Sequence, residues 1–194
     1  LLQRVVGRKL RATADLAGAV QASDVTFIAV GTPAADGKID LQYVKRAAEQ
    51  IGAAMRGKPG RHTVVVKSTV IPGTTDGPVR QALEAGSGLV AGRDFGLGMN
   101  PEFLTEGQAI EDFMRPDRIV LGGIDESTRD ALAVIYAPFA GAPVIRTNNK
   151  TAEMIKYASN AALATLISFA NELGRLCSTL GGVDARDVMQ GVHA

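Results

Sequence analysis

The chain has little of what several classes of protein require. It contains one cysteine and no tryptophan among 194 residues, which excludes an internal disulfide framework and fits a reducing, cytoplasmic environment. Its 21 basic and 20 acidic residues leave a net charge of +1, so nothing indicates nucleic acid or a membrane surface as a partner. No apolar run in the chain is long enough to span a bilayer.

Three common components of active sites are also missing. The segment 86–91 formally fits the G-x-G-x-x-A pattern, but it follows a predicted helix, whereas a pyrophosphate-binding loop follows a strand and opens a helix. We therefore predict a plain loop there. Cys177 lies about 25 Å along a predicted helix from Asn160, so we expect a buried structural thiol and not a nucleophile. His62 and His193 have no partner at metal-ligand spacing, so no metal site is expected.

What is present is an alternation of strands and helices. Helical spacing predicts helices over residues 126–136 and, in an alanine-rich pattern, 150–180. Strand–helix–strand units predict an α/β fold, part of a doubly wound, Rossmann-like parallel sheet with right-handed crossovers. We expect a domain that contains the predicted sheet over residues 1–148 and a helical segment over residues 149–194 that packs against a second subunit. Strands are predicted at residues 25–30, 62–69, 95–100, 118–122 and 144–147.

Polar side chains follow three of the predicted strands, where open parallel sheets bind ligands. Val30, Gly31, Thr32 and Pro33 form the first such segment, which is equally compatible with a plain turn. Thr69 ends the next strand, where a threonine either holds a water or caps the turn. Two carboxylates, Glu102 and Glu106, follow Asn100 and Pro101 in a loop, and paired carboxylates can divide acid and base roles.

Lys156 and Asn160 are the sharpest pair in the sequence. They lie one helical turn apart, so a cation and an amide can point at one substrate oxygen and stabilise its charge. A solvated helix face would show the same spacing, although the neighbouring residues here are largely apolar. The pattern indicates chemistry at a hydroxyl or carbonyl group.

Together these segments closely resemble the UDP-glucose/GDP-mannose dehydrogenase family over nearly the whole chain. The motifs that carry the resemblance include VVVKSTVIPGTT, NPEFLTEGQAIEDFMRPDRIVLGG, TAEMIKYASNAALATLISFANE and GVDARDVMQGV. The resemblance implies oxidation of a nucleotide-sugar C6 hydroxyl to a carboxylate by two NAD in succession, through a thioester on a cysteine. UDP-glucose is the expected substrate, with GDP-mannose and UDP-N-acetylmannosamine as alternatives, and polysaccharide biosynthesis the expected setting.

The resemblance also implies roles for individual residues. Thr69 resembles the threonine that positions water, and Glu102 the carboxylate that assists hydrolysis. Lys156 and Asn160 resemble the residues that hold the C6 oxygen and bind the substrate. The backbone of Phe103, Leu104 and Thr105 is implied to line the sugar-nucleotide site, and Glu106 is the second acidic residue of that loop. The implied cofactor-binding residues are Val30, Gly31, Thr32, Pro33, Ser68, Thr69 and Glu106.

The resemblance implies a partial NAD-binding domain over residues 1–148 and an incomplete helical dimerisation domain over residues 149–194. The departures from the family pattern lead to further expectations. The glycine-rich unit, the nucleophilic cysteine and the C-terminal domain are expected outside this sequence, which would leave an unpaired, apolar sheet edge. We therefore expect no turnover by these residues alone. Two other readings stay open: a single-step β-hydroxyacid dehydrogenase, which the Glu102/Glu106 loop disfavours, and a non-catalytic module that dimerises through the long helix.

Overall fold

Strands and helices alternate through residues 2–35, 37–139 and 141–193, the parts of the chain that the computed structural model describes. Two compact units result, Leu1–Met154 and Ile155–Ala194. The strands are β1 Val25–Ile28, β2 Ala34–Ala35, β3 Lys38–Ile39, β4 Thr63–Val66, β5 Gly96–Met99, β6 Ile119–Gly123 and β7 Val144–Thr147. The helices are α1 Leu2–Val5, α2 Leu16–Gln21, α3 Gln42–Ala54, α4 Arg80–Ser87, α5 Ala109–Met114, α6 Glu126–Tyr136, α7 Asn149–Leu180 and α8 Ala185–His193, with a short π-helical segment, Thr75–Val79, before α4.

The main sheet has five strands in the order β1-β4-β5-β6-β7. β1, β4 and β5 are parallel, as are β6 and β7, but β6 runs antiparallel to β5. The Rossmann-like α/β class is confirmed, while the fully parallel sheet is wrong at this one junction. The connection between β5 and β6 contains only the six-residue α5, which has no buried residue. A parallel crossover usually carries a helix that packs on the sheet. Because α5 buries no residue, it does not serve as such a crossover, and the chain turns back at the same ends of the strands.

Glycines allow the antiparallel junction to close. Gly98 pairs with Gly123, and Met99 pairs with Gly122. A Cβ added at Gly122 would lie 2.9 Å from the carbonyl oxygen of Met99 and 2.8 Å from the Cβ of Ala152 in α7. The glycine therefore permits both the strand pairing and the close approach of the helix.

The core lies around the three central strands, whose residues are all buried. Val65, Leu121 and Leu132 belong to one cluster, in which α6 packs on the sheet and Phe27 of β1 contributes a half-buried ring. β1 forms one edge of the sheet and β7 the other. Val, Ile and Leu dominate these strands, as expected for strands covered on both faces.

The segment with the G-x-G-x-x-A pattern ends a helix. Gly86 and Ser87 belong to α4, and Gly88 follows with a φ of 77°, a left-handed conformation that suits glycine. The predicted loop is therefore confirmed only after Ser87, because the first two residues of the segment are helical, and no helix opens there to receive a phosphate.

Glycines also set the contact between α3 and α4, which gives the first prediction. A Cβ on Gly52 would lie 2.8 Å from the carbonyl oxygen of Leu83, so α4 would have to move. We expect Gly52→Ala to lower the free energy of unfolding by about 1–3 kcal/mol in urea titrations, because overpacking outweighs the better helix propensity of alanine.

Gly174→Ala is the matched control, since Gly174 is also helical but has open space at its Cβ. This change should be neutral or stabilising by up to about 1 kcal/mol. Equal effects of the two substitutions would contradict the packing argument.

Candidate active site

The turns that follow β1 and β4 lie side by side at the carboxyl-terminal ends of these strands and are hydrogen-bonded to each other. The Thr32 hydroxyl donates to the carbonyl oxygen of Thr69 over 2.9 Å. The Ser68 hydroxyl donates to the carbonyl oxygen of Val30 over 2.6 Å. The residues assigned to the cofactor from these two turns are thereby brought together, with Thr69 half-buried and Gly31 exposed.

A buried asparagine links the β4 turn to the end of β5. Asn100 is 2% exposed, and its amide nitrogen donates to the carbonyl oxygen of Val120 in β6 over 2.9 Å. Its side-chain oxygen accepts from Lys67 Nζ over 2.9 Å and from the Tyr136 hydroxyl. Lys67 Nζ also approaches the carbonyl oxygen of Asn100, at 3.3 Å. The cluster of Lys67, Asn100 and Tyr136 therefore connects four elements of the first unit.

The loop that leaves Asn100 is held by its own side chains and by neighbours. The Glu102 carboxylate accepts from the amide of Leu104 over 2.6 Å. The amide of Thr105 donates to the Asp112 carboxylate over 2.7 Å. The Arg118 guanidinium lies 4.1 Å from the centroid of the Phe103 ring, within cation–π range.

These contacts form one wall of a cleft in the first unit. Its lining combines the loop with the aromatic rings of Phe113, Tyr136 and Phe139 and with the cations Lys67 and Arg118. Glu102 lines this cleft and is half-buried, whereas Glu106 is exposed. The two carboxylates thus lie in different surroundings, which is what a division of roles between them requires.

A buried carboxylate in α7 holds the segment that follows Thr69. Glu153 is 0% exposed, and it accepts hydrogen bonds from the amides of Gly73, over 2.5 Å, and Thr75, over 2.7 Å. Four residues earlier, Asn149 donates to the Asp76 carboxylate over 2.7 Å. Burial raises the pKa of Glu153 above its ordinary value, although the bonds from Thr75 and Gly73 act in the opposite direction.

Lys156 and Asn160 lie on α7 within the second unit, one turn apart as predicted. Lys156 is buried, with 7% exposure, while Asn160 is exposed. The alternative that Lys156 lies on a solvent-exposed helix face is therefore wrong. A buried ammonium beside an exposed amide on one helix face can donate to an oxygen that approaches from solvent.

Tyr136, Asn149 and Glu153 did not stand out in the sequence. Glu153 precedes Lys156 by three residues and so shares its helix face, which is a signal that could have identified it. Tyr136 lies in an ordinary amphipathic helix far along the chain from its partners, so the sequence contains no local signal for it.

Cys177 is buried, at 6% exposure, in the last turns of α7, as expected for a structural thiol. In the described ranges, no three His, Cys, Asp or Glu side chains form a group that could hold a metal ion. None of the helices that the structure describes is both long and apolar enough to cross a membrane.

Two family profiles match the chain in succession. Residues 1–140 match the NAD binding domain of the UDP-glucose/GDP-mannose dehydrogenase family, and residues 150–194 match the central domain of the same family. The first match alone covers more than half of the chain.

Relatives named for different nucleotide sugars match the chain. The chain is 44% identical to the GDP-mannose 6-dehydrogenase of Pseudomonas putida over 190 residues, covering 97% of the chain and 43% of the relative. It is 43% identical to a UDP-glucose 6-dehydrogenase of Haloferax volcanii, covering 99% of the chain and 45% of that relative. The structure resembles a ternary complex of GDP-mannose dehydrogenase from Pseudomonas aeruginosa, with a TM-score of 0.89 and 47% identity over 93% of this chain and 41% of that chain. The chain thus spans less than half the length of these relatives.

The buried carboxylate gives a pH-dependent prediction. Because the pKa of Glu153 is higher in the folded than in the unfolded chain, the stability tied to it is fully present below its ordinary pKa of 4.5 and is lost as pH rises through the folded value. Glu153→Gln removes this titration. The free energy of unfolding of the wild type, minus that of the variant, should therefore decrease as pH rises above 4.5 in urea titrations.

The difference between the unfolding free energies of wild type and variant removes the contributions of the other titrating groups and leaves that of Glu153. Burial, with the Lys58 charge as a smaller cause, lowers the pKa of His62, so His62 alone would make stability rise with pH. That contribution is common to both proteins and cancels. Parallel curves for wild type and variant would contradict the assignment.

Proposed function

The chain belongs to the UDP-glucose/GDP-mannose dehydrogenase family, and from that premise we propose that the protein oxidises the C6 hydroxyl of a nucleotide sugar to a carboxylate with NAD. The observation that carries the proposal is the hydrogen-bonded junction of three strand ends in the first unit. This junction joins turns suited to a dinucleotide to a loop suited to a sugar. UDP-glucose, giving UDP-glucuronate, is the substrate we propose first.

We assign NAD to the turns after β1 and β4. Open parallel sheets bind dinucleotides outside the carboxyl ends of their strands, and residues 30–33 and 68–69 follow two such ends. A Cβ added at Gly31 would meet nothing within 4 Å, so the backbone there is open to a flat ring. Thr32 lies along the nicotinamide side in this assignment, and Glu106 contributes from the loop. When bound, NAD supplies the hydride acceptor for the oxidised carbon.

We assign Lys156 and Asn160 to the C6 oxygen of the sugar. As the hydroxyl is oxidised its proton is lost, and negative charge develops on the oxygen. The Lys156 ammonium and the Asn160 amide donate hydrogen bonds to that charge. A preorganised donor of this kind lowers the barrier by ~3–4 kcal/mol, and the burial of Lys156 reduces the screening of its charge by water.

We assign the hydrolytic step to Thr69 and Glu102. The Thr69 hydroxyl positions a water molecule that attacks the acyl carbon of the thioester. The Glu102 carboxylate accepts a proton from this water, the C–S bond breaks, and the cysteine thiolate leaves as the carboxylate product forms. The backbone of Phe103, Leu104 and Thr105 binds the sugar nucleotide. Cys177 is excluded as the thiol that carries the acyl group because it is buried near the end of α7. We therefore propose that the chain alone does not turn over substrate.

GDP-mannose is the second candidate substrate. Relatives named for GDP-mannose and for UDP-glucose match the chain at 44% and 43% identity, so similarity supports both sugars to the same degree. Both are nucleoside-diphosphate hexoses with a free C6 hydroxyl, and the residues assigned above act on that shared part.

We also propose that α7 pairs with a second copy of the chain. Leu163, Leu166 and Ile167 recur at helical spacing on α7, and each is more than 50% exposed. Exposed apolar stripes of this kind on a helix are usually covered by a partner. The alanines at positions 161, 162, 164 and 170 would allow that partner to approach closely.

A chimera tests the proposed chemistry. Residues 1–194 would replace the matched segment of the Pseudomonas aeruginosa GDP-mannose dehydrogenase, which has the same fold over this region. We expect two NADH for each nucleotide sugar oxidised, whereas the 194-residue chain alone should give no steady NADH signal with either sugar. Lys156→Ala in the chimera should lower kcat by ~10²–10³-fold, because it removes a donor to the developing charge.

Lys150→Ala is the matched control, since Lys150 is an exposed lysine of the same helix, and its kcat should match that of the parent chimera. One NADH for each substrate molecule would instead support a single-step dehydrogenase. Steady NADH production by the isolated chain would overturn the proposed inactivity.

The dimer is tested by sedimentation of the chain. Ile167→Glu places a charge in the apolar stripe and should convert a dimer to a monomer. Ile110→Glu, which changes a 77% exposed residue of α5, should leave the dimer intact. A wild-type chain that sediments as a monomer at high concentration would contradict the proposal.

A further inference from the structure

Tyr136 is the only side chain from α6 in the hydrogen-bonded cluster around Asn100 in the described structure. Its hydroxyl donates to Asn100 Oδ1, and Lys67 Nζ lies 3.4 Å from the same hydroxyl oxygen. The directions of these bonds are fixed by chemistry. Lysine can only donate, and the Asn100 amide nitrogen is already directed at Val120. The Asn100 side-chain oxygen therefore accepts two hydrogen bonds. A flipped amide would lose these bonds and the one to Val120, so one orientation of the Asn100 amide is favoured.

The cluster lies where two assigned parts of the site leave the sheet. Lys67 directly precedes Ser68 and Thr69, and Asn100 directly precedes Pro101 and Glu102. Pro101 is buried and has a fixed φ, which restricts how Glu102 can move relative to Asn100. The spacing between Thr69 and Glu102 is thereby set at the base of both turns.

We propose that Tyr136 is a positioning residue that holds Asn100 and, through it, fixes Glu102 relative to Thr69. This inference rests on the proposed function, in which those two residues act together on water. In that scheme Tyr136 acts on the reaction through Asn100, while its ring forms part of the cleft lining. Its effect is expected on the hydrolytic step and not on hydride transfer.

The surroundings of Tyr136 suit a fixed donor. The ring packs against Phe139 with centroids 5.8 Å apart, and Phe139 in turn meets Phe113 edge to face at 5.4 Å. Burial raises the pKa of the Tyr136 hydroxyl, against the opposing effect of its bond to Asn100, so the group stays protonated and can donate at neutral pH. A phenylalanine would preserve the packing and remove only the hydrogen bond.

The first experiment measures amide hydrogen exchange in the 194-residue chain and does not depend on activity. Tyr136→Phe should raise the exchange rates of Leu104 and Thr105, whose amides are hydrogen-bonded within the loop, by about 5-fold. Core amides such as Leu97 should keep their rates. Tyr43→Phe, which removes an exposed hydroxyl from α3, is the matched control and should change neither set.

The second experiment uses the active chimera under single-turnover and steady-state conditions. Tyr136→Phe should leave the initial burst of NADH unchanged and lower the steady-state rate by about 10- to 100-fold, because a misplaced base slows hydrolysis. A residue that acts on folding alone would reduce burst and steady state in the same proportion.

The outcomes separate this inference from the proposed function. If the parent chimera produces no NADH, the proposed function fails, and the exchange experiment still tests the positioning of the loop. If the parent is active and Tyr136→Phe matches Tyr43→Phe in both experiments, the inference is overturned. Exchange that rises equally in the loop and the core would also overturn it, since the role would then be one of general stability.

Discussion

The reversal of β6 is the constraint on which the site depends. If β6 were parallel to β5, the chain between them would have to cross the sheet and leave the edge where β1, β4 and β5 end. Because β6 is antiparallel, the connection formed by residues 100–118 begins and ends on the side of the sheet where β1, β4 and β5 end. The loop with Glu102, the ring of Phe103 and the guanidinium of Arg118 are kept there as a direct result.

Neighbouring turns at these strand ends are held together by direct hydrogen bonds. Thr32 is bonded to the Thr69 backbone, Ser68 to the Val30 backbone, and Lys67 to Asn100. Each bond joins one strand end to the next, so the turns are tied to one another as well as to their own strands. Groups held in this way need little reorganisation when charge develops nearby, which is the general basis of preorganised catalysis.

Local patterns in the sequence were sufficient for most of the elements. Strand β7 at residues 144–147 and helix α6 at residues 126–136 are confirmed to the residue. The helix has an amphipathic pattern and begins after the N-cap Asp125, and the strand is a short β-branched run that follows Pro143. The direction of β6 was not predictable, since it depends on whether the preceding connection packs on the sheet. Glycine weakens the sequence signal for a strand such as β5, yet Gly98 suits its pairing with β6, because a Cβ there would lie 3.0 Å from the carbonyl oxygen of Gly122.

The candidate site likewise has a part that the sequence could predict and a part that it could not. The three polar segments were visible because each follows an apolar run or lies on a helix face, and motif order identified the family. The partners that hold them were not visible, because 69 residues separate Lys67 from Tyr136 and 80 separate Gly73 from Glu153. Pairing across such distances is decided by topology, which a single sequence does not state.

Gly122 has a consequence for how related chains can vary. It lies between the carbonyl oxygen of Met99 and the methyl group of Ala152, so any side chain there would push β5 or α7 away. A larger residue at position 152 would displace the helix that carries Glu153 and Lys156. Substitution by a larger residue at position 122 or 152 is therefore disfavoured by this packing. A homologue with larger residues at both positions must have a different spacing between β5, β6 and α7. The two positions can serve as a marker of whether a distant sequence keeps this arrangement.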